Sequence, residues 1–301
     1  MTLEQLAAFI AVAERAHLTR AAQALHLSPS AVSTAVRTLE ARYQVQLFHR
    51  MGRGIALSAA GQHFLPIARA TLAQARLAEA ALGELGTLDR GDLVVHASQT
   101  IANYWLPARL AAFRRRFARV DIDLRVGNSA TVARAVGEGS AELGFVEGAI
   151  EEPHLTAMPI ARDRLVVVMP KTVEAAHDPQ SRAWQEVLPA LDWILRESGS
   201  GTRAMFEDGL RALGIDPSRL RVALTLPSNE AVLTAVRTGA NCATALSETV
   251  VAPFLARGDL ALLDVPLPPR DFVLLHHAQR PLSGLARAFS AICRDEPGAR
   301  A

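Results

Sequence analysis

Hydroxyl, amide and glycine residues gather at four points of this chain, each between an apolar run and a helical pattern. "RESGSGTR" places Ser198, Gly199, Ser200, Gly201 and Thr202 ahead of Arg203. "HASQTIANYWLP" supplies Ser98 and Thr100, "VGNSATV" supplies Asn128, Ser129 and Thr131, and "LPSNEAV" supplies Ser228 and Asn229. Each stretch reads as a strand end passing into a helix start. A helix start presents unpaired N–H groups and about half a positive charge, so several converging starts suit a small anion. Taken singly, each is an ordinary helix cap. Repetition across strand ends, with the Gly-Ser-Gly-Thr loop, carries the anion reading. Glu147, closing "LGFVEG", is the odd member, because a carboxylate repels an anion. It reads as an acceptor for a donor-bearing ligand, as a partner of Arg196 or Arg203, or as a solvent-facing side chain.

A second set of polar residues lies near the N-terminus, in "TRAAQALHLSPSAVSTAVRTLEARY". Thr19 is a plausible cap for a helix over 20–26. Ser28 caps the next, with Pro29 at the first helical position, where its missing N–H costs nothing. That helix is predicted to run to about Tyr43 with Val32, Val36 and Leu39 inward. Ser30, Ser33, Thr34 and Arg37 fall on the opposite face at i, i+3, i+4 and i+7. Small residues bring two short helices close together and leave the second with a polar, slightly basic face. This is the construction of a helix-turn-helix, whose second helix enters the major groove. The alternative is a solvated face on a three-helix bundle. Next, "VQLFHRMGRGIALS" reads as a hairpin around Gly52 and Gly54, with Arg50 and Arg53 near its tip as a wing beside DNA.

Other chemistries find no matching pattern. "SGSG" has Ser198 where a nucleophile elbow needs glycine. The only lysine is Lys171, so no phosphate loop ending in Gly-Lys-Ser/Thr exists. His276 and His277 are adjacent and would face opposite sides of a strand, and no His/Cys set has metal spacing. No catalytic residue, metal or cofactor is therefore assigned. An enzyme or small-molecule-binding protein built on the C-terminal two-thirds is the reading set second.

The elements that must position these residues divide the chain in three. Residues 1–58 form the helix-turn-helix and wing, and 59–88 a linker helix. Residues 64–85 carry a heptad seam of Phe64, Ala68, Thr71, Ala75, Ala78, Leu82 and Leu85, suited to pairing with a second copy. Pro66 predicts a kink near 62–66 or a start close to that residue. Residues 89–301 alternate apolar strands with helices, which predicts parallel sheets covered on both faces. Two such cycles suggest two lobes, the first about 89–162 and 268–294, the second about 163–267. "DFVLLHH" and "PLSGLARAFSAICR" cross back to complete the first, and ligands of such folds bind at the carboxyl ends of strands.

Charge agrees with this division. The net charge of +2 resolves into +3 over residues 1–88, with eight arginines against five glutamates, and −1 over the rest. That surplus fits a nucleic-acid partner but is modest. Cys242 and Cys293 lie in apolar surroundings and read as core residues of a reduced protein. "MTLEQLAAFIAVAERAH" has acidic residues within its apolar region and no basic leader, and no apolar run is long enough to span a membrane. A soluble cytoplasmic protein is expected.

Residues 6–66 resemble the LysR-type transcriptional regulators nearly without a gap. The family pattern falls on Phe9, Thr19–Ala22, Ala31–Ser33, Leu39–Glu40, Leu47–Arg50 and Leu57–Gly61. Two positions depart from it: members often carry Gln where Pro29 stands, and Arg, Lys or Gln where Thr34 stands. The resemblance implies a winged helix-turn-helix, a dimerising linker helix and a two-lobed, periplasmic-binding-protein-like α/β effector domain. It also implies a homodimer or dimer of dimers on double-stranded operator DNA, regulated by a small effector. The DNA-binding candidates are then Thr19, Arg20, Ser28, Ser30, Ser33, Thr34, Arg37, Arg50 and Arg53. The ligand candidates are Ser98, Thr100, Asn128, Ser129, Glu147, Ser198, Gly199, Ser200, Gly201, Thr202 and Ser228. "NYWLP", "GNS" and "RESGSGTR" look like the family branch with carbon-fixation and sulfite-responsive regulators, which implies an oxyanion or a small phosphorylated or carboxylated effector.

Overall fold

A computed structural model describes residues 1–51, 54–84, 90–148, 150–174 and 184–295. The chain divides into two compact units, Met1–Thr87 with Glu138–Ser140, and Leu88–Gly137 with Ala141–Ala301.

In the first unit, helix α1 (Leu3–Arg15) opens with a capping box between Thr2 and Gln5. Helix α2 spans Leu18–Ala24, and its cap is His17, whose ring Nδ1 accepts from the Thr19 amide at 3.2 Å. The predicted cap at Thr19 is thus displaced by two residues, because an imidazole nitrogen takes the place assigned to a hydroxyl. Helix α3 (Pro29–Tyr43) is capped by Ser28 as its sequence predicts. Val32, Val36 and Leu39 are buried against Leu6, Phe9 and Val12 of α1 and Ala21 and Ala22 of α2.

Strands β1 (Phe48–Met51) and β2 (Gly54–Leu57) form the antiparallel hairpin. Glu40 fixes it to α3, its Oε1 accepting from the amides of Leu47 at 2.8 Å and Phe48 at 3.2 Å. Helix α4 runs Ala59–Glu84 with Pro66 inside it, so its start is not close to Pro66. Ser58 sets that start: its Oγ accepts from the Gly61 amide at 3.0 Å and donates to the Gln46 carbonyl at 2.7 Å. Any Cβ on Gly61 would overlap the Leu47 carbonyl, so only glycine lets α4 begin so close to the hairpin. The predicted seam is also corrected at its beginning. Ala68 is buried with Leu6, Phe9 and Leu39, and Phe64 packs on the same cluster. Thr71, Ala78 and Leu82 stay exposed, whereas Leu85 lies outside the described residues.

The second unit is built on two five-stranded sheets. Strand β3 (Arg90–Ser98) leads through a π-helical turn, Ile101–Trp105, into α5 (Leu106–Arg116). Then come β4 (Arg119–Gly127), α6 (Ser129–Glu138), β5 (Leu143–Glu147) and β6 (Leu155–Asp163). The second sheet's run contains β7 (Leu165–Pro170), α7 (Lys171–Glu174), α8 (Trp184–Val187), β8 (Asp192–Arg196), α9 (Gly201–Ala212) and β9 (Arg221–Leu226). It continues with α10 (Asn229–Thr238), β10 (Cys242–Ser247), α11 (Glu248–Ala256) and β11 (Leu260–Leu263). Strand β12 (Arg270–His277) and α12 (Gly284–Asp295) return to the first sheet.

Strand order is β4-β3-β5-β12-β6 in the first sheet and β11-β7-β10-β8-β9 in the second. The sheets are mixed rather than parallel. β12 is antiparallel to β5 and β6, and β7 is antiparallel to β10 and β11. The cause is the double crossover: a single residue, Arg164, separates β6 from β7, and β12 comes back reversed. Apolar clusters cover both faces of each sheet, with Phe113, Phe145 and Phe289 central to one and Trp193 and Phe206 to another. Among the described residues no helix is long and apolar enough to cross a membrane.

Candidate nucleic-acid interface and ligand cleft

The polar stripe of α3 is built as its spacing predicts. Ser30, Thr34 and Arg37 are exposed, and Ser33 is half-buried between them. Ser28 and Ser30 share a hydrogen bond at 2.9 Å between their hydroxyls. Arg37 donates to Ser33 Oγ from Nε at 3.2 Å and from Nη2 at 2.7 Å. Thr19 and Arg20 lie exposed in the first turn of α2. Arg50 sits on β1 opposite Ile55. Arg53 falls outside the described residues.

The structure brings six of the eleven ligand candidates, Thr100, Asn128, Ser129, Glu147, Gly199 and Gly201, into two groups at the carboxyl ends of β3, β4, β5, β8 and β9. In the first, Thr100 accepts from Asn229 Nδ2 at 3.1 Å, and both are buried. Gln99 bonds the same loop twice: its Oε1 accepts from the Asn229 amide at 2.9 Å and its Nε2 donates to the Pro227 carbonyl at 3.1 Å. Arg196 is 4% exposed and donates from Nη1 to Asn229 Oδ1. Its Nε and Nη2 grip the Glu197 carboxylate at 2.8 and 2.9 Å. Burial pushes the Glu197 carboxyl up, but hydrogen bonds from Arg196 and Asn128 outweigh this and hold it below the ordinary carboxylate range.

In the second group, Asn128 caps α6 through the Thr131 amide at 3.0 Å and donates to Glu197 Oε1 at 3.1 Å. The Ala130 amide donates to the Gly199 carbonyl at 3.1 Å. Ser129 donates to Glu147 Oε2 at 3.1 Å, and both side chains are buried. Glu147 therefore binds Ser129 rather than Arg196 or Arg203, whose carboxylate partners are Glu197 and Glu207. It does not face solvent either. A Cβ on Gly201 would come 2.7 Å from the Glu147 carbonyl oxygen and closer to Ser129 Oγ, so this glycine permits the contact of α9 with β5 and α6.

The remaining candidates stand apart. Ser200 and Ser228 are buried or half-buried caps of α9 and α10. Ser198 is exposed, next to Gly199 of the second group, which is itself exposed at φ +86°. Thr202 accepts from Arg270 instead of facing the two groups. Ser98 Oγ, at the end of β3, is buried without a hydrogen-bond partner among the described residues. Gln99, Glu197 and Arg270 were not among the candidates. Arg196 and Arg270 carried a readable signal, since a charged residue at the edge of a run as apolar as "DWILR" or "RDFVLL" must be paired.

A winged helix-turn-helix followed by a two-sheet unit whose strand ends bring polar residues together defines a class: DNA-binding regulators with a ligand-binding domain. The comparisons place the chain within it. Residues 3–62 match the family model of bacterial regulatory helix-turn-helix proteins of the lysR family, and 86–298 match the LysR substrate binding domain. The chain is 37% identical over 295 residues to the Escherichia coli K12 protein described as the uncharacterized HTH-type transcriptional regulator YeiE, covering 97% of each. It is 32% identical over 294 residues to a probable RuBisCO transcriptional regulator of Trichormus variabilis, covering 96% of this chain and 86% of that one. Full-length CbnR complexed with its target DNA has the same fold, with a TM-score of 0.66 at 22% identity over 98% of this chain and 99% of that one. A full-length OxyR variant of Pseudomonas aeruginosa gives 0.69 at 21% identity, over 100% and 97%. The protein belongs to the LysR family of transcriptional regulators.

Proposed function

We propose that this regulator acts in the cytoplasm as a homodimer or dimer of dimers, and that its cleft senses a small anion. The observation that carries the anion reading is the buried Arg196, set with Asn229 and Thr100 where α10 begins. The Asn229 and Ala231 amides at the start of α10 meet Gln99 and Ser228, and Arg196 meets Glu197, so an anion binds there by taking the place of these partners beside the guanidinium and the helix start. The Ser98 hydroxyl, unpartnered among the described residues, and the Ser200 cap of α9 add donors at neighbouring strand ends. Glu147 sits on the Ser129 side, so the anion's charge belongs with Arg196, and Glu147 accepts from a hydroxyl or protonated group of the same ligand.

In this reading Ser30, Ser33, Thr34 and Arg37 contact operator bases or phosphates, and Arg50 and Arg53 neutralise the DNA backbone. Occupation of the cleft shifts the two sheets, and α4 passes the change to the DNA-bound helices. The exposed positions of α4, Ile67 and Leu82 among them, are available to a second copy.

A thermal-shift screen of the full chain against sulfite, sulfate, phosphate, phosphorylated sugars and short carboxylates tests the site. A ligand at about a hundred times its Kd stabilises by roughly 2.7 kcal/mol, about 5–11 °C for a unit of this size. A shift abolished by Thr100→Ala names the effector class and its place together. No shift from any anion removes the anion reading.

A further inference from the structure

The chain passes between the two sheets twice, and one buried ion pair joins both passages. Asp163 is the last residue of β6 and Arg270 the first of β12, and they are register partners. Their side chains are 4% and 0% exposed, and Arg270 meets Asp163 Oδ2 through Nε at 2.7 Å and Nη2 at 2.6 Å. Both belong to the first sheet, yet their remaining bonds go to the second sheet's elements. Arg270 Nη1 donates to Thr202 Oγ1, near the start of α9, at 3.1 Å. Asp163 Oδ1 accepts from Ser247, the last residue of β10, at 2.7 Å.

Burying two charges is costly, and apolar residues of like volume often serve stability as well or better. The ion pair must therefore be read for what its geometry fixes. A planar guanidinium and a two-oxygen carboxylate bond in several set directions at once, which no apolar pair can do. Here those directions are the two crossovers, the start of α9 and the end of β10. We propose that Asp163 and Arg270 are positioning residues: a buried strut that holds the start of α9 and the end of β10 against the crossovers. The strut sets the angle between the two sheets and is the fixed point about which they turn. The inference goes beyond the reading of the cleft, and holds whatever ligand occupies it.

Hydrogen exchange of the full-length protein, followed by mass spectrometry, tests it without any ligand. Thr202→Val keeps the shape at that position and removes Arg270's acceptor. The amides of Arg203–Phe206 should then exchange roughly fivefold faster or more, while those of Val166–Met169 in β7 keep the wild-type rate. The double replacement Asp163→Leu/Arg270→Met should speed exchange both there and at the end of β10, with the protein still folded. Wild-type exchange at the start of α9 in Thr202→Val overturns the strut. So does uniform acceleration throughout that variant, which marks the network as ordinary core. Should the double variant not fold, Thr202→Val decides alone.

Discussion

Ser33 and Arg37 lie one turn apart on the exposed side of α3, and the serine hydroxyl accepts from two nitrogens of the guanidinium. On the proposed role of α3 at DNA, Ser33 would act through the posture of Arg37 as much as by its own reach. Ser33→Ala should weaken operator binding, and Arg37→Ala added to it should cost less than in the wild type. A coupling of about 0.5–1 kcal/mol is expected. Fluorescence anisotropy with operator and scrambled duplexes measures it; strictly additive losses would show that the two residues work independently.

Arg196 is held by Asn229 and Glu197 and is nearly out of reach of water. Arg196→Met leaves Glu197 without its charge partner and should lower stability by about 1–3 kcal/mol. It should also abolish any thermal shift by an anion. Chemical denaturation checks the first effect and the anion panel the second. A variant that still responds to the anion like the wild type would move the charge-binding role elsewhere in the cleft.

Gly201 has no room for a side chain, since a Cβ there meets Glu147 and Ser129. Gly201→Ala should push α9 away from β5 and cost about 1–3 kcal/mol. The denaturation midpoint should fall while the slope m stays the same. An unchanged midpoint would mean that the contact yields without strain.

His277 ends β12 stacked on His154, with ring centroids 6.4 Å apart. Burial pushes its pKa down, and Arg280, His154 and His276 push it the same way. The folded protein therefore prefers the neutral ring. Its contribution to stability is present above the unfolded value of about 6.5 and is lost as pH falls through the lower folded value. His277→Gln should melt less differently between pH 7.5 and 5.5 than the wild type does. Parallel losses of Tm in both proteins would assign the pH dependence to other groups.

The helix-turn-helix was legible because its signals are local. Ser28, Pro29 and the Val32–Val36–Leu39 stripe state a cap, a start and a buried face within twelve residues. His17 was not, because an imidazole cap depends on a ring orientation that no spacing reports. Strand β6 leaves little trace in the sequence because Pro159 interrupts its pattern; it forms as an edge strand, with a register shift opposite Phe272 and Val273. The parallel sheets expected from strand–helix alternation failed at β7 and β12, whose direction is set by the crossovers. For the cleft, the sequence marked the strand ends where helices begin. It did not show that Gln99, Asn128 and Asn229 would spend their amides on the opposite side, because such partners lie seventy to one hundred and thirty residues away.

Those same amides set the terms on which any effector competes. Gln99, Thr100, Asn128 and the Ala130 amide already draw hydrogen bonds from, or give them to, the facing loops. A molecule that enters must replace these self-made bonds, and only its surplus over them counts as affinity. If the parted state holds one molecule in a hundred, the apparent Kd is about a hundredfold weaker than the intrinsic one. The threshold of response is then written partly in Gln99, which stands outside the proposed anion site. Changing it would retune the concentration at which the regulator answers while leaving its choice of ligand alone.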